Sequence, residues 1–129
     1  MLELYNLGFD EIDIKDILIS NPKIKEISNK EIINLISILK NIKCDPNTKK
    51  NIIISNPFYL TRIDTDIIEL INKLTEIGLN NLNLLFDSNP YLLNKDAFEV
   101  EDFINKHKEY ELDDIVDIIT NNPYILDEE

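Results

Sequence analysis

Four times the chain presents the same two-residue step, asparagine then proline, at nearly even spacing: Asn21-Pro22, Asn56-Pro57, Asn89-Pro90 and Asn122-Pro123. Successive prolines stand 35, 33 and 33 residues apart. Proline has no N–H to donate, and it pushes the residue before it out of the α region, so each step must end the helix that reaches it. A fixed period in this range marks a stack of small helical units, each too short to bury its own apolar face.

The apolar residues keep time with the prolines. Three residues after each proline stand Lys25, Leu60, Leu93 and Leu126; ten after, Ile32, Ile67 and Val100; seventeen after, Leu39, Leu74 and His107. Seven-residue steps hold such side chains near one stripe of a helix. Before each proline lie Ile17/Leu18, Ile52/Ile53, Leu85/Phe86 and Ile118/Ile119. With two glycines and no alternating runs of strand formers, the pattern predicts helices joined by short turns.

Each period reads as a short helix followed by a longer one. The first short helix spans roughly 11–20, capped by Asp10, and the capping position recurs as Asp45, Asn80 and Asp113, each after an apolar residue. A side-chain oxygen there can accept from the unpaired N–H groups of the opening turn. Pro46 follows Asp45 at the first helical position, where a missing N–H costs nothing. The longer helices are predicted at 29–42, 65–77 and 95–109. Ser28-Asn29-Lys30-Glu31 opens the first as a capping box, Asp64 or Thr65 caps the second, and Gly78 ends it. Their predicted apolar faces include Ile67, Ile68, Leu70, Ile71, Leu74 and Ile77, then Phe98, Val100, Phe103, Ile104 and Tyr110. Residues 1–7 read as the tail of another long helix, since Leu4 and Leu7 match Leu39 and Ile42. An acidic tail, Asp127-Glu128-Glu129, closes the chain.

The 129 residues fit one helical-repeat domain, 1–129, long enough to bury a core unaided. The formal net charge of −12 is unevenly placed. Residues 1–64 hold nine basic and nine acidic groups, and residues 65–129 hold four basic and sixteen acidic groups. The second half therefore repels polyanions and attracts basic partners. A lone Cys44 allows no internal disulfide. With no basic, apolar leader and no run of ~18 apolar residues, the expectation is a soluble intracellular protein in the cytoplasm, away from membranes.

The Leu-x-x-Leu-Gly-apolar stretch, seen as Leu4-Tyr5-Asn6-Leu7-Gly8-Phe9 and Leu74-Thr75-Glu76-Ile77-Gly78-Leu79, joins a short helix ending at proline and apolar residues at +3, +10 and +17. Together these resemble the repeat of the mitochondrial transcription termination factor (mTERF) family, with Pro22, Pro57, Pro90 and Pro123 at the family's proline. The resemblance implies an all-α fold, an α-solenoid of about four short helix-pair repeats with a 3₁₀ turn in each. It also implies a basic concave groove for double-stranded nucleic acid. The sequence departs from that groove, because Arg62 is its single arginine and it lacks a Lys/Arg stripe. Lys43 and Glu111 replace the motif's glycine in two repeats. The stretch from Leu4 to Ser20 alone also resembles a ubiquitin-associated three-helix unit, a reading the fourfold recurrence disfavours.

Candidate chemistry is sparse. His107 stands where other repeats carry leucine and reads as a packing residue, since no partner or cleft is legible for a general base. Cys44 matches Phe9, Leu79 and Leu112 and reads as a small core residue. Glu109, Glu111, Asp113, Asp114 and Asp117 form an acidic cluster without the spacing of a calcium loop; they read as a solvated face that could meet a basic partner. Lys40, Lys43, Lys49 and Lys50 gather near one turn, the one place suited to an anion or nucleic acid. Phosphate-binding, dinucleotide, zinc and nucleophile-elbow motifs are missing from the sequence. The expectation is a non-enzymatic binding module with no cofactor, taking another protein on an acidic or concave face. Two alternatives stand beside it: a nucleic-acid binder of mTERF type involved in transcription or RNA, and an acidic regulator that mimics nucleic acid.

Overall fold

A computed structural model describes residues 2–127. Among them every regular element is helical, with no strand. By its internal packing the chain divides into two compact units, Met1–Asp64 and Thr65–Glu129. The first holds α1 (Leu2–Asn6), α2 (Glu11–Ser20), α3 (Asn29–Asn41) and α4 (Pro46–Ser55), with 3₁₀ turns at Pro22–Glu26 and Pro57–Thr61. The second is built from α5 (Asp64–Glu76, its first residue counted with the first unit), α6 (Leu82–Ser88), α7 (Ala97–Lys106) and α8 (Leu112–Asn121), with 3₁₀ turns at Pro90–Asn94 and Ile125–Asp127. No helix among the described residues is long and apolar enough to cross a membrane.

The Asn-Pro steps are four copies of one corner. Asn21, Asn56, Asn89 and Asn122 have φ of −143, −136, −139 and −137° and ψ of 81, 74, 84 and 81°. Each donates its backbone N–H to the carbonyl four residues back, on Ile17, Ile52, Leu85 or Ile118, at 2.8–3.0 Å. Each asparagine carbonyl then accepts from the residue two beyond the proline, Ile24, Tyr59, Leu92 or Ile125. Proline sits where the tight turn asks for no N–H and fixes φ for it.

Inside each unit a side chain joins one corner to the next. Asn21 is buried, and its Nδ2 donates to Pro57 O at 3.2 Å and Thr61 Oγ1 at 2.9 Å. Asn89, fully buried, donates from Nδ2 to Pro123 O at 2.9 Å and Asp127 Oδ2 at 3.4 Å. Asp127 therefore belongs to the last corner and not to a loose tail; Glu128 and Glu129, the rest of that predicted tail, lie outside the described residues. Tyr59, also fully buried, donates its hydroxyl to Leu35 O at 2.5 Å. Burial pushes its pKa far above the usual phenol range.

The long helices α3 and α5 end in the same way, and α1 ends like them. Phe9 N–H reaches Leu4 O and Gly8 N–H reaches Tyr5 O; Cys44 and Lys43 do the same to Leu39 and Lys40, and Leu79 and Gly78 to Leu74 and Thr75. This is the Schellman pairing, with an apolar residue after the turn packing near one in the last turn of the helix. All six apolar partners are buried: Leu4 with Phe9, Leu39 with Cys44, Leu74 with Leu79. The motif demands positive φ, which Gly8 (99°) and Gly78 (115°) adopt at little cost. Lys43 adopts it too, at 70°, the one non-glycine residue to do so among those described.

The fourth copy breaks the pattern. Here Glu111 stands at the glycine position with φ −75°, and His107 replaces the leucine. Without a residue suited to positive φ or an apolar pair to close, α7 stops at Lys106, short of the predicted 109. The N-cap of α8 is Glu111, not the predicted Asp113, which lies in the first helical turn beside Asp114. Leu112, in register with buried Cys44 and Leu79, is 49% exposed.

Both later repeats are two residues shorter, and the loss falls between the glycine position and the proline: 14 residues from Gly8 to Pro22 and from Lys43 to Pro57, 12 from Gly78 to Pro90 and from Glu111 to Pro123. The third repeat keeps its Schellman turn and shortens α6 to seven residues. Its N-cap moves to Asn81, one beyond the predicted Asn80, and makes no side-chain capping bond. The fourth repeat keeps a ten-residue α8 and gives up the end of α7 instead.

α5 begins at Asp64, so the predicted caps Asp64 and Thr65 are its first two helical residues. Three other predicted caps form as expected, with Ser28 supplying its half of the capping box. Asp10 and Asp13 form a reciprocal capping box, Asp45 Oδ1 accepts from Thr48 N at 2.7 Å, and Ser28 Oγ accepts from Glu31 N at 3.2 Å. Three residues placed on apolar faces by the sequence are turned outward: Ile68, Phe98 and Tyr110 are 43, 70 and 47% exposed. Predicted core positions Ile32, Ile67 and Val100 are fully buried. Lys25 is exposed, unlike the leucines that share its phase.

Candidate functional site

Each unit carries a groove built from the same repeat positions. In the first it is about 420 Å3 and runs between the start of α3 (Ile27, Glu31, Asn34, Leu35) and the following turn (Leu60 to Asp64). Asn34 Nδ2 donates to Asp64 Oδ2 across it at 2.7 Å. In the second it is about 300 Å3, between the start of α7 (Lys95, Glu99, Asp102, Phe103) and the last turn (Leu126, Asp127). Phe103 and Leu126 give that groove an apolar floor. Leu60, Phe103 and Leu126 were legible in the sequence as core positions and Glu31 and Asp64 as capping residues, but none as part of a groove, because a groove depends on how one repeat's helix leans on the next repeat's turn.

The charged rim of the second groove is largely neutralised from within. Lys95 Nζ lies 3.3 Å from Asp127 Oδ1, and Lys106 Nζ lies 3.1 Å from Asp102 Oδ2. Between α5 and α7, Lys73 pairs with Glu101. That hydrogen bond, chiefly, holds the Lys73 ammonium above the usual lysine range. Three of the four basic side chains in this unit are thus engaged by carboxylates of the same unit. The acidic surplus is what it offers to solvent.

Glu109, Glu111, Asp113, Asp114 and Asp117 are all exposed, around the α7–α8 bend and along α8, and none lines the two grooves. Glu109 Oε1 lies 3.6 Å from His107 Nδ1, and the His107 ring rests 4.6 Å from that of Phe103. His107 thus packs at the bend. Among the described residues no three His, Cys, Asp or Glu side chains converge closely enough to hold a metal ion.

The lysine cluster is not gathered into a cavity either. Lys40 and Lys43 are exposed at the end of α3, while Lys49 and Lys50 are half-buried on α4. Lys50 lies over the Phe9 ring, 5.7 Å from its centroid, and lines the space beside Gly8. It serves as a cover for the first Schellman turn. The N-terminus of α4, where an anion would benefit most from the helix dipole, is already occupied by the Asp45 carboxylate. The Thr48 N–H bond, then the Thr48 side chain, hold that carboxyl below its ordinary value.

Cys44 is buried in the second Schellman turn. A smaller cleft of about 230 Å3 in the second unit lies between the Gly78–Asn81 loop, α6 and α8, beside the place where α6 lacks its first turn. Comparison with family models, with curated proteins and with solved structures finds no match.

Proposed function

We propose that this chain is a non-enzymatic helical-repeat module of the α-solenoid kind, resembling the mTERF repeat in architecture, and that it binds a basic segment of another protein through its second unit. The observation that carries the reading is the internal pairing of Lys73, Lys95 and Lys106, which leaves a unit of sixteen acidic and four basic groups with an unbalanced carboxylate surface. Such a surface steers cationic partners in and turns phosphate backbones away. Recurrence of one corner geometry supports the repeat architecture.

The test is a titration of the intact chain with a lysine- and leucine-containing peptide and, in parallel, with short duplex DNA, read by fluorescence anisotropy. Peptide binding should exceed DNA binding. Replacing Asp113, Asp114 and Asp117 by lysine should weaken it about tenfold, equivalent to ~1.4 kcal/mol. Preference for the duplex, with a steep salt dependence and loss on changing Lys43, Lys49 and Lys50 to glutamate, would overturn the reading in favour of nucleic-acid binding.

A further inference from the structure

In the first unit, α1 and α3 bound a groove of about 240 Å3, lined by Leu7, Ile33 and Ile36 with Glu3, Asn6 and Ser37 on its polar side. Ile33 is half exposed there. Glu3 Oε2 is buried and has no hydrogen-bond partner. A carboxylate oxygen taken out of water and given no donor loses its hydrogen bonds to solvent without a replacement. The repeat shows what normally answers it. Moving two periods along carries Glu3 to Lys73 and Ile33 to Glu101, and in the second unit that pair forms an ion pair across the same two helix positions. The first unit has the carboxylate on one helix and an isoleucine on the other, and among the described residues no lysine or arginine lines the groove between them.

We infer that this groove docks a segment of a partner protein that presents one lysine or arginine on an otherwise apolar helix face. The cation would sit against Glu3 as Lys73 sits against Glu101, and the apolar neighbours would cover Ile33 and Ile36. The charge complementarity is local, since the first unit as a whole is balanced at nine basic and nine acidic groups. All of its lining residues belong to the first unit.

Hexylguanidinium and hexanol, titrated separately into the intact chain and followed by backbone amide shifts, test the chemistry. Hexylguanidinium should shift Glu3, Asn6, Ile33, Ile36 and Ser37, with hexanol about tenfold weaker at the same sites. Glu3→Gln should remove that difference, and Ile33→Ser should weaken both probes. A blocked helical peptide with arginine flanked by leucines should reproduce the shifts and lose about tenfold in affinity to Glu3→Gln. Equal response to both probes, no response, or insensitivity to Glu3→Gln overturns the proposal. Sedimentation completes the test: a dimer that dissociates on Glu3→Gln would assign the groove to a second copy of this chain and overturn a foreign partner. Shifts near Asp113 to Asp117 report the other surface, so either reading can fail alone.

Discussion

Asn21 and Asn89 occupy the same corner of the repeat, one in each unit, and their side chains are satisfied differently. Asn21 donates to a carbonyl and a threonine hydroxyl, both neutral. Asn89 donates to a carbonyl and, at longer range, to the Asp127 carboxylate, while its own Oδ1 is buried without a partner. The backbone of the corner does not register the difference, since the two asparagines agree within 4° in φ and 3° in ψ. Proline and the i−4 hydrogen bond set the corner locally; the amide's role is to tie one corner to the next.

That contrast gives the largest expected effect. Asn21→Ala strands the buried Pro57 carbonyl and should cost about 2–3 kcal/mol. Asn89→Ala loses similar bonds but also removes an unpartnered buried acceptor, and should cost only about 1 kcal/mol. Urea denaturation of both variants, with hydrogen exchange at the corner amides, measures the gap. Equal costs would mean that the unpartnered Oδ1 carries no penalty.

The Schellman turns sharpen a second contrast, between a glycine and a lysine in one backbone state. Gly78→Ala should destabilise by about 2 kcal/mol. A Cβ there would strain a φ of 115° and lie 3.4 Å from Val116 Cγ2. Lys43→Gly should stabilise by about 0.5–1 kcal/mol, the relieved left-handed strain exceeding glycine's extra entropy in the unfolded chain. Thermal midpoints of the two variants should move in opposite directions.

The smallest effects separate the units by pH. In the first, Asp45 has a lowered folded pKa, so its contribution is present above the ordinary 3.8 and is lost as pH falls through the folded value. In the second, Lys73 has a raised folded pKa, so its contribution is complete below the ordinary 10.5 and is lost as pH climbs through the folded value. Asp45→Asn should flatten only the acid limb of the stability profile, and Lys73→Met only the alkaline limb. Both changes should be small, because both groups are in reach of water.

The grooves and ion pairs were hidden for a common reason. Lys95 and Asp127, or Asn34 and Asp64, meet only because a helix of one repeat lies against the turn of the next, about 30 residues away. His107 and Glu111 were visible as departures from the repeat, yet their consequence, the shortened α7 and the shifted cap, followed from a choice that local preference leaves open. A repeat two residues short can trim its short helix or release the end of its long one, and the third and fourth repeats do one each.

Taken alone, the sequence determined the helical elements, the four corners and most of the buried stripe, Lys25 and Ile68 excepted, because proline geometry, side-chain caps and seven-residue spacing act over a few bonds and need no partner. Tertiary structure alone decided which carboxylates meet which lysines, where a Glu3 oxygen is left without a donor, and which way Phe98 and Tyr110 turn. Those outcomes depend on the lean of one helix on another, and no side chain encodes that lean by itself.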